Sequence, residues 1–256
     1  MSFHVAGDLY DRFMGRYARP LAPVFCDAAR IGDAQRVLDV GCGPGALTSE
    51  LVGRLGAAAV TAVDPSEPFV EETRLRHPGV DVRLAKAEAL PFADASFDAA
   101  LAQLVVHFMG DPIAGIAEMA RVVVPGGVVA ACVWDHAGGG GPLAGFWSAA
   151  HELDPAITDE SGLAGAREGH LAELFASAGL HEVEDTSVTV VVEHPTFEDW
   201  WEPYTFGVGP AGAYVGRLDE AGRGRLRERC RAHLPPPPCT ISGRAWMARG
   251  LVRRGA

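Results

Sequence analysis

The chain has 256 residues, nearly half of them apolar, enough to bury one substantial core with an appendage and no disulfide or metal staples. A formal net charge of -11, with Lys86 the only lysine, sets it against a nucleic-acid partner, because phosphate neutralisation needs clustered Lys and Arg. Cys26, Cys42, Cys132, Cys230 and Cys239 are scattered without metal-ligand spacing, Met1 to Arg19 is unlike a signal peptide, and no apolar run approaches the roughly 18 residues that span a bilayer, so a cytoplasmic chain with no membrane contact and a small-molecule partner is expected.

In chain order, Tyr10 to Tyr17 is predicted as a short aromatic helix, a spacing that ordinarily marks packing on a core. Arg36 to Val40 follows as a buried strand, then a glycine-rich turn, a helix from about Ala46 to Leu55, a strand over Val60 to Val63 and a helix over Glu67 to Arg76. Strands at Val80 to Leu84 and Asp98 to Leu104, a helix over Pro112 to Val123 and a strand over Gly127 to Trp134 continue the alternation. That pattern is an α/β fold, a Rossmann-like parallel sheet with helices on both faces.

Beyond Trp134, the run Gly138 to Gly141 is expected to be a mobile hinge. Gly169 to Ala178 reads as a helix stopped by Gly179, and Glu184 to Glu193 as a strand with Val188, Val190 and Val192 on one face. Asp219 to His233 is helical, Pro235 to Pro238 is a stop, and Ala245 to Val252 is a last short strand. The aromatic, glycine-rich stretch Phe197 to Tyr214 lies between the two late strands and is expected to form a helical lid over the carboxyl edge of the sheet. Three parts result: a helical cap over residues 1–30, a core over 31–195 and 239–256, and a lid over 196–238.

The chemistry is concentrated in Val37-Leu38-Asp39-Val40-Gly41-Cys42-Gly43-Pro44-Gly45. A strand that ends in closely spaced glycines and runs into a helix lets the backbone approach a ligand with no Cβ in the way and presents free N–H groups. Gly41, Gly43 and Ala46 also satisfy the dinucleotide pattern G-x-G-x-x-G/A, so the loop by itself admits NAD as well as S-adenosylmethionine. Asp64, ending the second strand, can accept both ribose hydroxyls of either cofactor. Asp39 separates the two: a carboxylate there disfavours a pyrophosphate and favours the ammonium of a methionine moiety.

VLDVGCGPG at 37–45, AVDPS at 62–66, AEALPFADASFD at 87–98 and EMARVVVPGG at 118–127 together resemble the class I S-adenosylmethionine-dependent methyltransferases of the menaquinone-biosynthesis-like (type 11) group. The resemblance implies a seven-stranded sheet, mostly parallel, with its last strand antiparallel. It implies that Gly41, Cys42 and Gly43 line the methionine and ribose, that Asp39 helps hold the amino group, that Asp64 binds the ribose, and that Pro65 and Ser66 lie beside the adenine. Where the family commonly has Gly-Asp, this chain has Ala85-Lys86, and lysine cannot accept from the adenine amino group, leaving that contact to Glu88 or the Ala87 backbone. Gln103 and Leu104 are expected on the wall near the sulfonium, and Tyr17 or Arg16 near the methionine carboxylate.

Methyl transfer from a sulfonium is an in-line displacement that needs placement and, for a protonated acceptor, a base. His107, after the fourth strand, is the candidate base, its unperturbed pKa suiting proton removal near neutrality. Phe13, His107, Trp134, Trp200, Trp201 and Tyr204 are candidate acceptor contacts, although the lid aromatics would serve equally as packing. Asp135 and His136 follow Trp134 at the same sheet edge; the remaining histidines, among them His194, are dispersed and taken as solvated, and no metal is expected. Two other functions remain compatible with these motifs: a non-catalytic cofactor-binding relative and an NAD-dependent oxidoreductase.

Overall fold

Alternation along Val37–Val40 (β1) sets the layering. Val37 and Asp39 point to one face, Leu38 and Val40 to the other, and all four are buried, as a central parallel strand covered on both sides requires. The computed structural model describes residues 7–253, so the expected 1–30 cap and 239–256 core segment each extend beyond the described residues. Strands β2 (Val60–Asp64), β3 (Asp81–Leu84), β4 (Phe97–Gln103), β5 (Val123–Trp134), β6 (His181–His194) and β7 (Cys239–Leu251) join β1 in the order β3-β2-β1-β4-β5-β7-β6. Every pairing from β3 across to β5 is parallel, and β7 is antiparallel to both β5 and β6, so the mostly parallel sheet with a reversed last strand is observed.

Helices cover both faces. Following α1 (Gly7–Tyr10) and a π-helical turn (Asp11–Gly15), α2 (Arg16–Ala29) and α3 (Ala46–Leu55) lay Leu21, Phe25, Leu47 and Leu51 on Val37, Leu101 and Cys132. After α4 (Glu67–Arg76), α5 (Pro112–Val122) covers the opposite face; with α7 (His170–Ser177) it sets Ile116, Met119, Leu171 and Phe175 on Leu38, Ala100 and Val129. A third cluster joins α6 (Ala144–Leu153) to α8 (Phe197–Trp201), α9 (Gly209–Arg217) and α10 (Glu220–His233). Asp219 caps α10 by accepting from Gly222 N–H at 2.7 Å, the local reason that helix starts where it does. Among the described residues no helix is long and apolar enough to cross a membrane.

Three differences from the sequence expectations have physical causes. Helix α6 has no counterpart in them, and β7 begins at Cys239, well before Ala245. The glycine run is a pinned loop and not a mobile hinge: the fully buried Asp135 accepts from the N–H groups of Gly138 (2.8 Å) and Gly140 (3.2 Å), and Arg244 N–H donates back to Gly140 O at 2.8 Å. Asp135 also takes Arg244 Nε at 3.0 Å and Trp246 Nε1 at 3.0 Å, so one carboxylate fastens the post-β5 loop to β7. Asp135→Ala is expected to destabilise the fold by about 2 kcal/mol, read as a lower melting temperature by circular dichroism; an unchanged melt would mean that the loop is held by packing alone.

Candidate active site

The chain leaves β1 toward β2 and returns to β4 on its other side, so the loops after β1 and β4 part and open a crevice at the carboxyl edge. A cavity of about 350 Å³ fills it, with Asp39, Gly41, Cys42 and Gly43 on one side and Gln103 and Leu104 on the other. Gly41 has φ +74°, and a Cβ there would stand 2.5 Å from the Val105 side chain, so only glycine lets the two loops close together. Gly43, at φ +53°, has open space where its Cβ would be, the bare backbone surface that a ligand can approach.

Three polar side chains give the cavity its chemistry. Asp64, 6% exposed, accepts Gly43 N–H at 2.9 Å and Ser66 N–H at 2.8 Å, keeping lone pairs for a ligand; burial pushes its pKa up to about 6. Asp39 is more deeply buried and takes the Thr48 hydroxyl of α3 at 2.6 Å on one oxygen, while Oδ1 has no partner among the described residues; burial pushes its pKa up to about 7. Gln103 donates to Ala18 O at 2.9 Å, and its own Oε1 has no partner among the described residues. Orphaned buried acceptors are costly, so the site demands a donor-rich ligand. An ammonium meets that demand, whereas a pyrophosphate brings only more acceptors.

A second, smaller cavity of about 40 Å³ shares Tyr10, Leu104 and Phe108 with the first and is otherwise lined by Phe13, Met14, His107, Trp134, His136 and Glu160, with Val208 to Ala211 at the start of α9. Leu104, on the wall common to both, has φ +62°, unusual for a leucine, and is held there by its N–H donating to Cys132 O at 2.9 Å. His107 is buried, its Nδ1 has no partner among the described residues, and burial with His136 alongside holds its pKa down to about 3. An imidazole held low is a weak proton acceptor, and the structure places His107, the expected general base, on the wall of this smaller cavity.

Of the residues singled out in the sequence, Asp39, Gly41, Cys42, Gly43, Asp64, Pro65, Ser66, Gln103 and Leu104 meet on the larger cavity, and Phe13, His107 and Trp134 on the smaller. Others lie elsewhere. Tyr17 shares a 2.8 Å hydrogen bond with His194, which is 1% exposed and not solvated, and Arg16 is tied to Asp199 at 2.8 Å, so Tyr17 joins α2 to the end of β6 and Arg16 joins it to α8. Ala87 is packed beneath α5, and Glu88 accepts from Gly110 N–H at 2.6 Å; Phe69 lines the cavity instead. Trp200, Trp201 and Tyr204 are buried in the lid against α6, Tyr204 stacking on Phe146 at 4.4 Å, and it is α9 that faces the small cavity. Sequence reasoning missed Tyr10, Phe69 and Phe108, each beside a motif it did use, and Glu160, which no motif marks.

Residues 38–131 match the family model described as a methyltransferase domain. Over 127 residues, 50% of this chain and 49% of the relative, the chain is 39% identical to an uncharacterized methyltransferase of Mycobacterium tuberculosis. Over 128 residues, 49% of this chain and 46% of the relative, it is 34% identical to the malonyl-[acyl-carrier protein] O-methyltransferase of Hahella chejuensis. The chain thus spans about half the length of these curated relatives. The crystal structure of the YcgJ protein from Bacillus subtilis shares the fold, with a TM-score of 0.58 at 18% identity over 91% of this chain and 98% of that one. The matched segment runs from within β1 to within β5 and includes both loops of the crevice, while α6 to α10, β6 and β7 lie outside it.

Proposed function

We propose that the protein binds S-adenosylmethionine in the larger cavity and transfers its methyl group to a small acceptor seated in the smaller one. One observation carries this reading: Asp39 Oδ1 and Gln103 Oε1, buried and without donors among the described residues, share a cavity with Asp64. An amino group beside a ribose diol supplies the donors they lack.

When bound, the cofactor supplies a methyl group on a positively charged sulfur. Asp39 and Gln103 accept from its amino group, and Asp64 accepts from the ribose while its bonds to Gly43 and Ser66 keep the glycine loop in place. Pro65, Ser66 and Phe69 flank the adenine. Tyr10, Leu104 and Phe108, common to both cavities, align the two ligands and keep water from the transfer path, which is most of what an in-line displacement requires. Phe13, Met14 and Trp134 favour an apolar or aromatic acceptor, and the net charge of -11 disfavours nucleic acid.

Calorimetric titration with S-adenosylmethionine, S-adenosylhomocysteine and NAD tests the cofactor. One equivalent of each adenosyl ligand at micromolar affinity, with no response to NAD, is the expected result. NAD binding, or silence from both adenosyl ligands, would overturn the reading.

A further inference from the structure

We propose that His107, His136 and Glu160 form a binding site for one divalent transition-metal ion of the zinc class, opening onto the acceptor cavity. The three side chains come from separate segments: the turn after β4, the loop after β5, and the irregular stretch before α7. Their ligand atoms nevertheless all lie within 4.8 Å of one another. His107 is 8% exposed, the His136 side chain 4% and Glu160 4%, so water does not satisfy them. His107 Nδ1 and His136 Nε2 have no hydrogen-bond partner among the described residues.

The separation discriminates between a hydrogen-bonded cluster and a coordination site. His136 Nε2 stands 4.0 Å from Glu160 Oε1, too far for a hydrogen bond. Nitrogen and oxygen ligands bind zinc at about 2.0–2.2 Å and therefore stand roughly 3.4 Å apart around a tetrahedral ion, which small side-chain rotations reach from here. The other Glu160 oxygen is already occupied, accepting Trp147 Nε1–H at 3.0 Å, which orients the carboxylate with Oε1 toward the imidazoles. Two imidazoles and one carboxylate suit zinc, nickel, iron or copper and not calcium or magnesium, which take oxygen ligands. Dispersal of the three ligands along the chain explains why no spacing motif announces them, and in this the proposal departs from the sequence expectation of no metal.

Three protein ligands leave a position free, and all three line the small cavity. The fitting acceptor carries an oxygen that can bind the ion, such as a phenol, alcohol or acid. Held by His107, His136 and Glu160, the ion would lower the pKa of that O–H so that its proton could pass to bulk water, and the oxyanion could then accept the methyl group as the S–CH₃ bond breaks, leaving a neutral thioether. This role rests on the methyl-transfer reading, whereas binding of the ion does not.

The test uses the full chain stripped with a chelator and titrated with Co²⁺, followed by visible absorption, and with Zn²⁺, followed by calorimetry. One equivalent per chain, with the intense visible bands of a low-coordinate cobalt site, is expected. His136→Gln and Glu160→Gln should each weaken binding at least tenfold, with S-adenosylhomocysteine affinity retained as evidence of folding. No stoichiometric binding by the unaltered protein, or affinity undiminished in both variants, would overturn the site and leave only adventitious surface histidines. Cobalt binding without adenosyl-ligand binding would instead uphold the site and remove the cofactor reading.

Discussion

Asp64→Ala is expected to weaken binding of both S-adenosylmethionine and S-adenosylhomocysteine by roughly 10²- to 10³-fold, about 3–4 kcal/mol. Two losses combine. The carboxylate gives up charge-assisted contacts to the ribose diol, and the N–H groups of Gly43 and Ser66 lose the acceptor that shapes the loop around the ligand. Because the ribose is common to both ligands, the two affinities should fall together. Calorimetry with 5′-methylthioadenosine, which keeps the ribose and lacks the amino acid, should show the same fall. An unchanged affinity for that ligand would place the ribose elsewhere.

Asp39→Asn should act in opposite directions on stability and on binding. Burial raises the folded-state pKa of Asp39 to about 7, above the roughly 3.9 of an unfolded aspartate, so its protonated form favours folding. That contribution is fully present below pH 4 and is lost as pH rises through 7, where the fold carries a buried charge with an unsatisfied oxygen. Asparagine removes the charge and can keep the bond from Thr48. At pH 8 the ligand-free variant should therefore be more stable by about 2–4 kcal/mol, a melting temperature roughly 5–10 °C higher, with the difference closing toward pH 4. Affinity for S-adenosylmethionine should fall roughly 10- to 100-fold, while 5′-methylthioadenosine should bind as before. Thermal melts across pH with calorimetry at pH 8 test both halves, and a destabilised variant at pH 8 would mean that Asp39 is stabilised by groups other than its ligand.

The sheet from β1 to β5 is legible in the sequence because β1, β2 and β4 are short, largely apolar runs and the Pro125-Gly126-Gly127 turn marks β5, while β3, with only Val82 buried, is legible chiefly from its place in the alternation. The larger cavity is legible for a related reason: its residues sit at the ends of those strands, where Asp39, Gly41, Gly43 and Asp64 are placed by local geometry alone. Helix α6 is not legible. Phe146, Trp147, Ala149 and Ala150 are buried only through the cluster they share with α8, α9 and α10, all later in the chain, and the preceding glycines look like a linker until Asp135 is seen to hold them. Trp200, Trp201 and Tyr204 show the same limit: an aromatic run does not say whether it faces a ligand or another helix, and here Phe146 of α6 decides. Glu160 depends entirely on Trp147 and on imidazoles brought from other segments.

Strand β7 lies between β5 and β6, and among the described residues it is β6's only strand neighbour. On the ribosome, residues 239–251 emerge after every other strand has been made, so a nascent chain holds β5 with a bare edge, β6 with no strand to pair with, and Asp135 still waiting for Arg244 and Trp246. The sheet therefore closes only when β7 enters between β5 and β6. Translation halted before residue 239 would yield a chain with open strand edges that invite aggregation and degradation.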